Sequence, residues 1–391
     1  MPRPPFYNPT ADQLQRTASC SERIRQEILR HGGSMGFDRY MQLALHDPAV
    51  GYYHGDHAVI GKEGDFVTVP ETSAHLAYCL AHACAGLIRD NPGHSILEIG
   101  AGTGQLALDM IRYLLAWEQL PRKYCIHETS ETMRSAQRMR FESQAPEIIP
   151  VVEWLPEMPA ELDCAIVIAN EVLDALPVKC FAVDPCQLQE RCVTTTGDGK
   201  LDWCLQAPCS ELDTALESLM ASLPEPLAGP YCSEICLVLE NVLANWSGCC
   251  RQCVMFLIDY GYPCSEYYHP QRSMGTLRSY LKHQVSSNPF DFPGLQDITV
   301  DVDFSLLARA AGRQAIQVLS FGSLRNFMLA NGLLDWRPSG KDPAACAAET
   351  ARLKQLTLGS ALGERFQVMV LGKEADYEAD RFTMRDMRAR L

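Results

Sequence analysis

The sequence predicts a doubly wound α/β fold, in which helices pack on a mostly parallel sheet. Three observations support this prediction. A strand, a glycine-rich loop and a helix follow one another over residues 94–120, a pattern typical of such folds. Further strands and helices then alternate, and the predicted strand at 163–169 contains a continuous apolar run, 164–169, as expected for a strand buried at the centre of a parallel sheet.

Composition restricts both the class of protein and its partners. Of 391 residues, 47% are hydrophobic and 21% are charged, a balance that excludes wholesale disorder. The formal net charge of −14 argues against nucleic acid or an anionic membrane as the main partner, because both favour a basic face. The longest purely apolar runs, 164–169 and 253–258, are far shorter than the roughly 20 residues that span a bilayer. Small molecules and cationic protein segments are therefore the expected ligands.

The N-terminus and the cysteines bear on the cellular compartment. Residues 1–15 lack an apolar signal core, and their prolines and acid do not suit a transit helix, so we expect a bacterial cytoplasmic protein without membrane insertion. The 17 cysteines are scattered through apolar stretches, which indicates reduced core thiols. Cys250 and Cys253 have the C-x-x-C spacing, but no second pair accompanies them, so no metal site is predicted.

Periodicity and turn residues give the elements of the first half. Residues 1–72 are predicted to form an N-terminal lobe around one helix, Ser21–His31, which is followed by a lid-like loop. The predicted core, 73–262, begins with a helix that ends at Arg89. It continues with a strand at 94–99, a helix from Gln105, a strand at 123–128, a helix at Ser130–Phe141, and strands at 148–154 and 163–169.

The second half is less regular. A hairpin with its turn at 197–199, a helix at 210–223 and a buried strand at 253–261 complete the predicted core. Residues 263–336 are mixed and helix-rich, and we interpret them as a substrate-side lobe inserted between late strands. The segment 337–391 completes the core with a strand at Glu364–Lys373 and ends in a charged tail.

The strongest motif is the run Glu98–Gly104, with the pattern E-x-G-x-G-x-G directly after a strand. Glycines allow the backbone to turn sharply and approach a ligand closely, and the start of the following helix favours a negative group. A dinucleotide fingerprint would be G-x-G-x-x-G, but position 105 is Gln, so the third glycine comes one residue early.

This pattern resembles motif I of class I methyltransferases that use S-adenosylmethionine (SAM). The resemblance implies that the glycine loop contacts the methionine part of SAM and that Glu128, at the end of the second strand, binds the ribose hydroxyls. The cofactor contacts predicted from this motif and from the ends of the neighbouring strands are Glu98, Gly100, Ala101, Gly102, Gly104, Glu128, Thr129 and Asn170. Trp154 is expected to border the adenine or to be a buried core residue. Phe66 and Thr68 belong to a loop that either covers the cofactor or substrate or has a purely structural role.

Six further blocks carry a wider resemblance. They are 51–53 (GYY), 62–73 (KEGDFVTVPETS), 170–177 (NEVLDALP), 257–262 (LIDYGY), 275–280 (GTLRSY) and 294–304 (GLQDITVDVDF). Together they resemble the MidA-like family, which includes the mitochondrial complex I assembly methyltransferase. The resemblance implies symmetric dimethylation of an arginine in a core NADH dehydrogenase subunit, or in its bacterial equivalent. Ala101 and Thr103 replace the Pro and Arg usual in the mitochondrial member, which affects the expected substrate range more than cofactor binding.

The chemistry of methyl transfer to arginine suggests which side chains act. The enzyme has to hold the nucleophile in line with the methyl group. A guanidinium is a poor nucleophile because it is delocalised and always protonated near neutral pH, but carboxylates can orient it bidentately. Glu171 and Asp174, which follow the fourth strand, are the first candidates, and Asp259 is the reserve. Asp174 has an alternative interpretation as a helix N-cap or a surface acid.

Other polar residues are candidates for substrate contact. His269, Arg278 and His283 in the inserted lobe could meet a protein substrate. Asp297, Asp301 and Asp303 alternate along an apparent strand and would share one face, either as a surface for an arginine-bearing substrate or as a solvated edge.

Three rival functions stay open at this point. One is a small-molecule methyltransferase with the same cofactor, and the second is an assembly chaperone that retains the SAM fold for binding. The third is an NAD-dependent dehydrogenase, which the glycine spacing disfavours. We expect a protein arginine methyltransferase, because the family resemblance implies an arginine acceptor and the two added lobes favour a large substrate.

Overall fold

A computed structural model describes residues 9–55, 74–184, 187–282, 284–337, 343–357 and 362–391. The chain divides into two compact units. Unit 1 is drawn from residues 1–67, 174–238 and 264–303, and unit 2 from residues 68–173, 239–263 and 304–391. Within the described ranges, no helix is both long and apolar enough to cross a membrane.

Helices and strands alternate along much of the chain. The described α-helices are α1 (Ala11–Arg30), α2 (Phe37–His46), α3 (His75–Asp90), α4 (Gln105–Ala116), α5 (Glu131–Gln144), α6 (Ser210–Ser222), α7 (Leu239–Gly248), α8 (Cys264–Tyr267), α9 (Phe304–Arg313), α10 (Leu324–Ala330), α11 (Pro343–Thr357) and α12 (Leu362–Arg365). The described strands are β1 (Ser34–Gly36), β2 (Ser95–Ile99), β3 (Tyr124–His127), β4 (Val152–Leu155), β5 (Leu162–Asn170), β6 (Lys179–Asp184), β7 (Gln187–Thr195), β8 (Leu201–Gln206), β9 (Tyr231–Ile235), β10 (Cys250–Tyr262), β11 (Arg278–Leu281), β12 (Gln284–Ser286), β13 (Asp297–Thr299), β14 (Val302–Asp303), β15 (Gln317–Ser323) and β16 (Phe366–Lys373). Short 3₁₀ helices lie at Tyr52–His54, Pro146–Val151, Pro270–Arg272, Leu333–Asp335, Ala379–Arg381 and Arg388–Arg390.

Unit 2 contains a mostly parallel sheet. Seven of its strands follow in the order β15-β16-β10-β5-β2-β3-β4. From β10 to β4 every pair of neighbours is parallel, whereas β16 is antiparallel to both β10 and β15. The structure therefore confirms the doubly wound α/β fold with its buried central strand, β5.

Apolar side chains at helical and strand spacing build the core of unit 2. In α4, Leu106, Met110, Ile111 and Leu114 are all buried, because they recur at the three- and four-residue spacing that keeps them on one face. The apolar run of β5 is buried from Cys164 to Ala169. Burying one such aliphatic side chain contributes roughly 1.5–3 kcal/mol.

The strand order creates a switch point between β2 and β5. From β2 the chain proceeds to β3 and β4 on one side, and later to β5 and β10 on the other. In the register, Ile99 at the end of β2 lies beside His127 of β3 and Ala169 of β5. Open α/β sheets bind ligands at the carboxyl ends of strands at such a point. The glycine loop and Glu128 follow strands at this edge, and Asn170 is the last residue of β5.

Unit 1 has two smaller sheets. One runs in the order β1-β7-β6-β9, with β8 paired to β7, and the other in the order β12-β11-β13. The predicted hairpin turn at 197–199 is confirmed. It joins antiparallel β7 and β8, and Gly199 has a φ of +81°.

Two element predictions were wrong in their bounds. Helix α1 begins well before the expected Ser21, because the side chain of Thr10 accepts a hydrogen bond from the backbone of Gln13 and caps the helix there. The expected strand at 148–154 is shorter. A 3₁₀ helix occupies Pro146–Val151, and only Val152–Leu155 pairs as a strand.

The acidic run at 297–303 differs from the expected continuous strand. It divides into β13 and β14, and Asp297 and Asp303 are buried, with exposed fractions of 6% and 7%. Asp297 accepts a hydrogen bond from the Tyr53 hydroxyl at 3.0 Å, so the interpretation as a solvated edge was wrong. In the segment interpreted as an inserted lobe, α9 and α10 lie in the later part and β11–β13 in the earlier part. The lobe and core boundaries stay a prediction.

Candidate active site

Left-handed glycines shape the loop between β2 and α4. Gly100, Gly102 and Gly104 have φ angles of +63°, +54° and +78°, a region that other residues rarely adopt. A Cβ atom at Gly104 would lie 3.0 Å from Cε1 of Phe141, so this position lacks room as well. The glycines of the predicted motif therefore have a clear physical cause, because this sharp turn needs left-handed residues and, at Gly104, a residue without a side chain.

Helix α5 and strand β4 brace this loop. The side-chain amide of Gln137 donates to the carbonyl of Gly102 at 2.8 Å. The indole N–H of Trp154 donates to Oε1 of Gln137 at 3.0 Å, and the Trp154 ring packs edge-on against Phe141 at a centroid distance of 5.4 Å. Gln137 was not predicted, since one glutamine in a polar helix carries no signal. The contact of Trp154 with adenine stays a prediction.

Glu128 directly follows β3 and is half-buried. Its Oε1 accepts a hydrogen bond from the backbone N–H of Ser130 at 2.9 Å, and Arg134 donates to its main-chain carbonyl. Burial raises the pKa of Glu128, although the Ser130 amide and the Arg134 charge act in the opposite direction. Thr129 beside it is exposed. A half-buried carboxylate at the end of this strand is suited to accept hydrogen bonds from sugar hydroxyls.

Glu98 lies inside the sheet rather than on its surface. The carboxylate, at the end of β2, accepts a hydrogen bond from the hydroxyl of Tyr124 in β3 at 2.6 Å. Burial raises the pKa of Glu98 to about 7. This contact joins β2 to β3 below the loop, so Glu98 supports the site from within. Its direct contact with the cofactor, like that of Ala101, stays a prediction.

Glu171 follows β5 in a left-handed conformation. Its φ is +53°, and its N–H donates to the carbonyl of Ile258 in β10 at 2.9 Å. The carboxylate accepts a hydrogen bond from Nδ2 of Asn170 at 3.2 Å on Oε1 and from the hydroxyl of Tyr260 at 3.0 Å on Oε2. Non-glycine residues in such a strained backbone conformation cluster at functional sites. Tyr260 was not predicted individually, although it lies in the block 257–262.

Asp259 binds main-chain groups. It is fully buried, with Oδ2 accepting from the N–H of Leu173 and Oδ1 from the N–H of Tyr260, both at 2.9 Å. These contacts fix the turn that follows β5. A catalytic role for Asp259 stays a prediction.

Asp174 belongs to unit 1. It is buried, its carbonyl accepts the N–H of Val300 at 2.9 Å, and its charge helps to raise the pKa of Tyr53, after burial and Asp297. In the same unit, His269 accepts the N–H of Gln271 and caps a short 3₁₀ helix. Arg278 is exposed at the start of β11. Phe66, Thr68, His283 and the block 62–73 lie outside the described residues.

The residues at this edge of unit 2 fit a nucleoside cofactor. Oδ1 of Asn170 is buried and has no hydrogen-bond partner within the part of the chain that the structure describes. Buried polar atoms normally have partners, so a ligand with donors and acceptors suits this place. The glycine loop, which is exposed at Gly100 and half-buried at Gly102, and the Glu128 carboxylate add the contacts that an amino acid group and a ribose need.

Comparison with known proteins decides the class. Residues 79–322 match a family model described as "Putative S-adenosyl-L-methionine-dependent methyltransferase". The chain belongs to this family, the MidA-like methyltransferases. A Burkholderia thailandensis protein crystallised with S-adenosyl-homocysteine is 30% identical, with a TM-score of 0.91 over 99% of this chain and 100% of that chain.

Two curated relatives are named mitochondrial protein arginine methyltransferase NDUFAF7 or its homolog. The Drosophila melanogaster protein is 26% identical over 79% of this chain and 74% of its own length. The Danio rerio protein is 25% identical over 89% of this chain and 88% of its own length.

These findings make the chain a SAM-dependent methyltransferase with a class I core. SAM supplies an electrophilic methyl group on a sulfonium. Gly100, Gly102, Gly104, Glu128 and Asn170 would hold the cofactor. The NAD-dependent alternative does not agree with the family or with the glycine spacing.

Proposed function

We propose that this methyltransferase modifies an arginine side chain of a protein and that Glu171 is the acid that meets the guanidinium. The acceptor would be the bacterial equivalent of a core NADH dehydrogenase subunit, symmetrically dimethylated in the cytoplasm. The names of the curated relatives support an arginine acceptor. The family resemblance is the source of the complex I subunit and of the symmetric product.

The proposal depends on the Glu171 carboxylate. The Asn170 amide donates a hydrogen bond to one of its oxygens and the Tyr260 hydroxyl to the other, and both donors are neutral groups. Hydrogen bonds from neutral donors orient a carboxylate without cancelling its charge. A carboxylate of this kind can accept two N–H bonds from a guanidinium and hold its charge away from the attacking nitrogen.

The test combines the purified protein with methyl-labelled SAM and a lysate from a strain that lacks its gene. Labelled protein is hydrolysed, and the modified amino acid is identified. We expect label in methylarginine. Label in another amino acid would overturn the arginine proposal. An absence of protein label with SAM still tightly bound would favour a small-molecule methyltransferase or a binding chaperone.

The variant Glu171→Gln assigns the role of this carboxylate. It should bind SAM with unchanged affinity and transfer methyl groups roughly 100-fold more slowly or worse, because it removes the charge and keeps the shape. Glu118→Gln is the matched control, since Glu118 is an exposed unit 2 glutamate with a similar φ of +56°. Full activity in Glu171→Gln would place the catalytic acid elsewhere.

A further inference from the structure

We propose that Tyr260 is a positioning residue for methyl transfer, which sets the direction of the Glu171 carboxylate. This inference rests on the function proposed above, in which Glu171 meets the guanidinium. Tyr260 would act through Glu171 and not by touching the methyl group.

The main chain of Glu171 is fixed, but its side chain needs a second restraint. A left-handed φ at a non-glycine residue costs free energy and persists only where the surroundings hold it. Here the N–H bond to Ile258 connects the residue to β10. The side chain nevertheless has three rotatable bonds, and an unrestrained glutamate populates many rotamers. The backbone position alone therefore does not fix the direction of the carboxylate.

Tyr260 supplies that restraint from a ring that is itself immobilised. It lies opposite Phe366 in the antiparallel register of β10 and β16, and the two ring centroids are 4.0 Å apart. Phe366 is buried, so the pair is anchored in the core of unit 2. The hydroxyl donates to Oε2 of Glu171 at 3.0 Å. The phenol thus fixes one carboxylate oxygen, and Asn170 bonds the other.

Asp259 connects the chain segments that carry Tyr260 and Glu171. Its carboxylate accepts the N–H of Tyr260 on one side and the N–H of Leu173, two residues after Glu171, on the other. Asp259, Tyr260 and Glu171 therefore form one hydrogen-bonded series between the ends of β10 and β5. A displacement of about 1 Å in a group that orients a substrate can lower the rate about 100-fold.

The test is the variant Tyr260→Phe, which keeps the ring packing and removes only the hydroxyl. We expect an unchanged SAM affinity and a methylarginine labelling rate about 10- to 100-fold lower, carried by kcat. Tyr377→Phe is the matched control, since Tyr377 is a unit 2 tyrosine with an edge contact to Phe382 and should keep the wild-type rate. Tyr260→Leu should lower the thermal midpoint as well, because it also removes the ring contact.

A double-mutant cycle of Tyr260→Phe and Glu171→Gln separates this inference from the proposed function. If Glu171→Gln is inactive and Tyr260→Phe keeps the full rate, the positioning role is wrong and the proposed function stands. If Glu171→Gln is fully active, the proposed role of Glu171 fails first. In the double variant we expect no further loss beyond Glu171→Gln alone. Should the lysate yield no labelled protein, the thermal midpoints decide: non-additive shifts support the contact, and strictly additive shifts overturn it.

Discussion

The side-chain amide of Gln137 donates to the main-chain carbonyl of Gly102 at 2.8 Å, so a residue of α5 holds the cofactor loop in place. Gln137 is fully buried, and its amide oxygen accepts the indole N–H of Trp154. Side chains of α5 and β4 thus restrain the loop. Preorganisation of this kind improves affinity because less freedom is lost on binding.

Replacing Gln137 by Leu should weaken SAM binding about tenfold, because the Gly102 carbonyl and the Trp154 N–H both lose their partner. Isothermal titration calorimetry measures the affinity. Trp154→Phe should give a smaller loss in the same direction. Trp117→Phe is its control, since Trp117 packs against Tyr78 and Tyr113 elsewhere in unit 2. Equal SAM affinity in Gln137→Leu and the wild type would show that the hydrogen bonds of Gln137 do not contribute to SAM binding.

Gly102→Val should abolish SAM binding while the protein still folds. A β-branched residue is strained at a φ of +54°, and its side chain would occupy the path of the cofactor. Calorimetry gives the affinity, and circular dichroism the fold. Gly199→Val is the control, because Gly199 has a φ of +81° in an open hairpin turn of unit 1, with no atom near the added Cβ. Unchanged affinity in folded Gly102→Val would remove the loop from the binding site.

The fold of unit 2 could be predicted because its signals are local. The apolar run at 164–169 and the glycines at 100–104 depend on neighbours in sequence, and the structure confirms the strand and the left-handed turns. The prediction of a solvated edge strand at 297–303 was wrong, because the alternation of residues along a strand does not show which side chains pack against them. Tyr53, far away in sequence, bonds Asp297 and explains its burial.

Glu128→Gln should weaken SAM binding by about 10- to 100-fold, because a neutral amide is a poorer acceptor for ribose hydroxyls than a carboxylate. Thermal shift with and without SAM gives a rapid measurement, and calorimetry the affinity. Glu153→Gln is the control, since Glu153 is an acid of β4 that pairs with Lys123 on the surface. A wild-type shift with SAM in Glu128→Gln would mean that another residue binds the ribose.

Because of Glu98, the free energy of unfolding should decrease as the pH rises from about 4.5 to about 7. Burial raises its folded-state pKa from 4.5 to about 7, so in this window the folded state retains a proton that the unfolded state has lost. The contribution is fully present below the unfolded pKa and decreases by about 3 kcal/mol across the window. Glu98→Gln should lack this decrease, and urea unfolding at several pH values measures the difference. Parallel pH profiles for the two proteins would contradict the assignment.

The candidate site could be predicted only in part. Motif position pointed to Glu171 and Glu128, since both directly follow strands of a parallel sheet. Gln137 and Tyr260 were missed because their importance comes from hydrogen bonds to residues distant in sequence, Gly102 and Glu171. For Asp259 the residue was noticed, but its two backbone contacts depend on how β10 lies beside β5.

Asp259→Asn distinguishes a structural acid from a catalytic one. The carboxylate accepts two backbone N–H groups, from Leu173 and Tyr260, whereas an asparagine has one acceptor and turns a donor toward the other N–H. We expect a loss of about 1–3 kcal/mol in the free energy of unfolding, together with lower activity. Asp259→Glu retains the charge but not the geometry, so it should not restore stability. If Asp259→Asn keeps full stability and loses activity alone, Asp259 acts directly on the substrate, as the sequence allowed.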